Sequence, residues 1–168
     1  GVYPTSPANE VAYVLEHADA EIIVCEDQEQ VDKVIEVRDQ LPMLRRIVVV
    51  EVKGMRSYPA DLVVSFEALE QAGAAHRARN PGLVDEALSR QSLEDTALMI
   101  YTSGSTGKPK GAMLTYANIR AQAVAVVEKL GLDRNATHLS YLPLCHVAEQ
   151  MTTLMAPVYL GSQINFGE

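Results

Sequence analysis

Cysteine is scarce: Cys25 and Cys145 are the only two in 168 residues. They stand far apart, each inside an apolar run. That argues against a disulfide framework and predicts two buried thiols in a reducing compartment. Positive charge is short as well, with 14 Lys+Arg against 22 Asp+Glu and a net charge of −8. This balance excludes a nucleic-acid or anionic-lipid surface built on net charge, and leaves room for a local basic site. No apolar run reaches the ~18 residues needed to cross a bilayer. No basic, then apolar, then small-residue opening reads as a signal peptide, so the expected location is cytoplasmic. There is no internal repeat and no linker rich in Gly or Ser. With 48% hydrophobic and 21% charged residues, disorder and collagen-like or low-complexity structure are excluded. His17, His76 and His138 have no ligand-like spacing, and Glu149 three residues after His146 lacks further acids, so no metal site is assigned.

What is present is an alternation of short apolar runs with helical patterns. Ser6-Pro7 reads as N-cap and first helical position, with Val11, Val14, Leu15 and Ala18 following at helical spacing. Ile22-Ile23-Val24-Cys25 and Ile47-Val48-Val49-Val50 read as buried strands. Between them, Asp27 caps a helix with the stripe Val31, Val34, Ile35, and Pro42 ends that segment. Strands apolar on both faces and separated by helices imply an α/β architecture, a mostly parallel sheet covered by helices. Ser65 caps a helix carrying Phe66 and Leu69, residues 73–82 read as a loop, and Asn80-Pro81 opens a helix through Leu88. A subdomain seam is expected within residues 75–95.

From residue 92 the pattern sharpens. Ala97-Leu98-Met99-Ile100-Tyr101 is a strand, Ala112-Met113-Leu114 an apolar return, and Thr115 caps a helix that ends at Gly131 with Ile119, Ala123, Val126, Val127 and Leu130 on one side. His138 to Leu142 reads as a strand, Val147 to Tyr159 as an apolar helix, and Ser162 to Phe166 as a last strand. Between strand and return lies Thr102-Ser103-Gly104-Ser105-Thr106-Gly107-Lys108-Pro109-Lys110-Gly111. Glycines let backbone N–H groups approach a ligand, hydroxyls add donors, and lysines attract oxyanions. Leaving the carboxyl end of a parallel strand, such a loop sits where open α/β sheets bind ligands, and its chemistry predicts a polyphosphate. It is not the Walker loop: Gly104 and Gly107 enclose two residues instead of four, and Pro109 follows Lys108.

This segment closely resembles the phosphate-loop signature of the adenylate-forming superfamily, which contains acyl-CoA synthetases, luciferases and adenylation domains of peptide synthetases. Tyr141-Leu142-Pro143-Leu144-Cys145-His146-Val147 resembles the next family motif in its long-chain fatty-acyl form. Tyr3-Pro4-Thr5-Ser6-Pro7 and Ala148-Glu149-Gln150 are similar to the same branch, so the resemblance spans the chain. It implies part of the N-terminal AMP-binding domain of a long-chain fatty-acid–CoA ligase, with residues 1–90 in a first α/β portion and 91–168 carrying the phosphate loop and acyl pocket.

The implied reaction has two steps. A carboxylate attacks the α-phosphorus of ATP, with Mg²⁺, to give acyl-AMP and pyrophosphate, and CoA thiol then displaces AMP. The resemblance implies that Thr102, Ser103, Gly104, Ser105, Thr106, Gly107, Lys108 and Lys110 hold the phosphates. Thr106 and Lys110 would be catalytic, and Lys110 is favoured over Lys108 because Pro109 fixes the chain just before it. His146, Val147 and Met151 would border the fatty acid, although a capping histidine and an ordinary core stripe explain the same residues. The family's ribose, Mg²⁺, hinge and C-terminal lysine motifs are not found here. The expectation is therefore a chain that looks excised, inactive alone, with a C-terminal domain missing and apolar edges that favour self-association. Peripheral membrane contact would suit a fatty-acid enzyme. Two other readings stay open: activation of an aryl or amino acid, and a non-catalytic phosphate-binding module.

Overall fold

The computed structural model describes residues 1–102 and 107–167. Their elements make a mixed α/β fold that divides into two compact units, Val2–Arg90 and, with Gly1, Gln91–Glu168.

In the first unit a parallel three-stranded sheet runs in the order β1 (Ile22–Cys25), β2 (Arg46–Val49), β3 (Val63–Ser65). Helices α1 (Ala8–His17) and α2 (Gln28–Glu36) carry the stripes that meet it. Val11 and Leu15 of α1, Val31 and Val34 of α2, and Ile47 and Val49 of β2 form one buried cluster. Val48, between two residues of that cluster, faces the other side of the sheet. There α3 (Phe66–Arg79) packs against β2 and β3, and Val48 is 1% exposed. Burying such side chains contributes about 1.5–3 kcal/mol each.

The alternation of strands and helices is therefore as expected, but β1 is not buried on both faces. It is an edge strand, the main packing of α3 falls on β2 and β3, and Ile22 and Val24 are 58% and 56% exposed. Asp27 caps α2 by accepting the Gln30 N–H at 3.1 Å, and Ser65 caps α3 through Ala68 N–H at 3.1 Å. Pro7, not Ser6, is the cap residue of α1, because its own carbonyl takes the first helical N–H groups, from Glu10 and Val11. The second helix stops at Glu36 and passes through a tight turn at Arg38–Gln40, well before Pro42. Strand β3 was not foreseen. Gly73 lies inside α3 instead of opening a loop: its cost of about 1 kcal/mol is offset by alanines and arginine around it. A short α4 (Leu83–Ser89) follows Asn80-Pro81.

The second unit opens with an antiparallel hairpin, β4 (Thr96–Thr102) and β5 (Lys110–Thr115). Helix α5 (Tyr116–Leu130) begins in a capping box: Thr115 Oγ1 accepts from Asn118 N–H at 3.2 Å and Asn118 Oδ1 accepts from Thr115 N–H at 3.0 Å. Gly131 ends it in the left-handed conformation at φ 62°. Ala123 is buried, Ile119, Val126 and Val127 are half-buried, and Leu130, the last residue of the helix, is exposed. Strand β6 (Thr137–Ser140) pairs in parallel with β7 (Gln163–Phe166). The helical run between them is not uniform. It passes from α6 (Val147–Glu149) through a π-helical turn at Gln150–Met155 into α7 (Ala156–Leu160). Pro157 has no N–H for the Thr153 carbonyl and its ring would crowd that oxygen, which accounts for the widened turn just before it.

Candidate functional site

The hairpin β4–β5 presents the glycine-, hydroxyl- and lysine-bearing connection. Its register pairs Leu98 with Leu114, Met99 with Met113, Ile100 with Ala112, Tyr101 with Gly111 and Thr102 with Lys110. Strand β4 thus runs into its partner antiparallel, not out of a parallel sheet as expected. Residues 103–109 are too few for the crossover a parallel pair demands, which takes a dozen residues or more. At the hairpin's base Gly111 leaves room for the Met99 and Tyr101 side chains: a Cβ there would lie 3.0 Å from the Met99 sulfur and 3.4 Å from the Tyr101 ring.

Thr102 and Lys110 consequently face each other as the last register pair, both exposed. A hydroxyl-bearing and an amine-bearing residue thus stand opposite each other on the backbone at the mouth of the connection, donor chemistry suited to an oxyanion. Gly107, also exposed, has φ 105°, a backbone that L side chains rarely adopt. Lys108 is exposed and Pro109 half-buried. Ser103, Gly104, Ser105 and Thr106 lie outside the described residues.

The second group of expected residues stands on the helical run 147–160. His146 is exposed and is its N-cap: ring Nδ1 accepts from the Ala148 N–H at 3.2 Å. That bond needs a lone pair on Nδ1, so the neutral ring carries its proton on Nε2, the nitrogen left for other partners. Val147 is half-buried, and Met151, one turn on, is 8% exposed. Cys145, expected to be buried, is half-buried, since the loop before His146 runs over the surface.

Between these landmarks sits a network that sequence reasoning missed. Glu149 is 2% exposed, and its Oε1 accepts from Ser140 Oγ and from Thr153 Oγ1, both at 2.6 Å. His138 Nε2 lies 3.1 Å from Thr153 Oγ1 and 3.8 Å from the carboxylate. Since Thr153 gives its proton to Glu149, it accepts from His138. The Ser140 hydroxyl holds the Glu149 carboxyl below its ordinary range, helped by Thr153, opposed by burial, and helped again by His138 and the Tyr141 N–H. The signal in the sequence was a Glu and a Thr at i, i+4 on one face of an apolar helix, where polar residues need a buried partner.

Among the described residues no group of three or more His, Cys, Asp or Glu side chains is placed to hold a metal ion. No helix there is long and apolar enough to cross a membrane.

Known proteins place this arrangement in context. The chain is 34% identical over 173 residues to the long-chain-fatty-acid–CoA ligase ACSBG2 of Xenopus laevis, a match covering 100% of the chain and 23% of the relative. It is 33% identical to fatty acyl-CoA synthetase A of Dictyostelium discoideum, over 98% of the chain and 24% of that protein. The chain thus spans about a quarter of the length of these relatives. Its fold is that of an anthranilate–CoA ligase crystallised with anthranoyl-AMP, with TM-score 0.73, 22% identity, and 99% of this chain against 30% of that one covered. It also resembles a long-chain-fatty-acid–CoA ligase from Archaeoglobus fulgidus, with TM-score 0.67, 22% identity, and 99% and 29% coverage. The family model of the AMP-binding enzymes matches residues 1–168, and the chain belongs to that family.

Proposed function

We propose that the whole protein to which this chain belongs is a fatty-acid–CoA ligase that activates a long-chain acid as acyl-AMP and transfers it to CoA. The observation that carries this reading is the hairpin base, where Thr102 and Lys110 face each other beside the positive-φ Gly107. Membership of the AMP-binding family and the long-chain ligases among its relatives support the substrate class.

In this reading the chain supplies the phosphate-holding part of the site. Lys110 offsets the charge that builds on departing pyrophosphate, with Thr102, Ser103, Ser105, Thr106 and Lys108 donating to the same oxygens. Gly104 and Gly107 let the backbone approach. Mg²⁺ is assigned no ligand among the described residues, and no step is drawn through it. His146, Val147 and Met151 border the acid, with Nε2 of His146 as the polar group at the surface and Met151 as apolar lining. A cytoplasmic setting, with peripheral contact at membranes that supply the acid, fits two cysteines that stand as free thiols.

The test is acid-dependent ATP–pyrophosphate exchange in the whole protein, across fatty, aryl and amino acids. Exchange strongest with long-chain fatty acids is expected, and Lys110→Ala should lower it about 10²-fold, the usual effect of losing one group aimed at developing charge. Preference for an aryl or amino acid would replace the substrate class. Exchange indifferent to Lys110→Ala would remove the assigned role, and the absence of exchange with every acid would favour a non-catalytic phosphate-binding module.

A further inference from the structure

We propose that Glu149 and Gln150 are positioning residues that clamp the loop 141–146 from both ends and so set where His146 and Met151 meet the acid; this rests on the function proposed above. The two are adjacent on the helical run, yet reach opposite ends of the loop. Glu149 takes the Ser140 hydroxyl at 2.6 Å, at the end of β6 and directly before Tyr141, the loop's first residue. Gln150 gives its Nε2 proton to the Leu144 carbonyl at 2.7 Å, two residues before His146. The Gln150 N–H in turn bonds to the His146 carbonyl at 3.1 Å, and Thr153 Oγ1 ties Glu149 to its own next turn at 2.6 Å.

The buried carboxylate, the exposure of the loop and the Gln150 amide argue that this clamp does more than fill space. A carboxylate at 2% exposure is costly unless every lone pair is used, and an apolar residue would pack there more simply. The loop it holds buries little of itself: Tyr141, Leu142 and Leu144 are exposed, so packing does not define its path and hydrogen bonds must. Gln150 Oε1 is buried without a partner among the described residues, so this amide is held for its donor side. The clamp thereby converts a surface loop into a fixed edge beside Met151.

The test uses the whole protein with its preferred acid, measuring KM for acid and for ATP separately, kcat, and amide exchange at Ala148, whose N–H bonds to His146. Glu149→Leu should raise the acid KM about tenfold and leave the ATP KM and kcat within about twofold, the pattern of lost ground-state positioning. Glu149→Gln should fall between, because the amide keeps one acceptor oxygen, and Gln150→Ala should raise the acid KM about threefold. Exchange at Ala148 should speed in Glu149→Leu. An unchanged acid KM, equal rises in both KM values, or unchanged Ala148 exchange would overturn the clamp while leaving the proposed function standing. Should Glu149→Leu not fold, Thr153→Val and Gln150→Ala decide, and an acid KM unmoved in both overturns it. A wild-type protein silent with every acid overturns the function and the clamp together.

Discussion

Cys25 shows what a single position contributes. It closes β1 against α2, 3% exposed, and burial, with Asp27 nearby, pushes its thiol from 9.0 up to about 11. The thiolate is the reactive form, so at pH 8 only about one Cys25 in a thousand would be competent to react. Alkylation of the native protein at pH 8, read by peptide mass spectrometry, should label half-buried Cys145 and spare Cys25; equal labelling would contradict this. The same shift sets an alkaline limit. Because the folded value is the raised one, stability is intact below pH 9 and declines by up to roughly 3 kcal/mol as pH climbs through 11. Glu149 works at the other end. Its folded carboxyl sits below the ordinary value of 4.5, so its contribution is present above that pH and is lost as pH falls through the lower folded value. Glu149→Gln should therefore flatten the acid limb of the stability profile below pH 4.5, measured by urea midpoints across pH.

At the scale of elements, the caps were the most legible part. Asp27, Ser65, Thr115 and Gly131 all stand where their chemistry placed them, because a cap satisfies N–H or C=O groups only two or three residues away. Thr115→Ala should cost about 1 kcal/mol, since it breaks the reciprocal pair with Asn118 at the start of α5. Urea unfolding of the second unit's signal would show it, and a midpoint shift below about 0.3 kcal/mol would mean that packing already holds the helix start. The hairpin was less legible. Its strands were readable as β4 and its apolar return, and the antiparallel pairing follows from the shortness of the connection 103–109, not from either strand's composition. The buried network was least legible, because Ser140 and His138 lie on β6 while Glu149 and Thr153 lie on the following helix. Nothing in their spacing alone shows that they converge.

For the whole molecule, the decisive quantity is apolar surface left in water. Ile22 and Val24 on the edge strand, Leu139, Tyr141 and Phe166 around β6 and β7, and Val158 at 82% exposure are all exposed. Exposed apolar strand edges favour pairing with another chain. The isolated chain is expected to self-associate as concentration rises, and sedimentation velocity giving one monomeric species across a hundredfold range would count against it. The chain by itself is also expected to support no acyl-adenylate formation; acid-dependent exchange from it alone would show that these residues suffice.

Local chemistry in the sequence determined the alternating α/β pattern, most helix starts and the phosphate-loop signature, because each rests on residues within a turn or two of one another. Tertiary structure alone decided which strand became an edge, that Gly73 is helical, and that a carboxylate from the helix reaches back to the strand before it. Those outcomes depend on which surfaces meet across long stretches of chain, and a buried charge declares its partners only once they have been brought within hydrogen-bond reach.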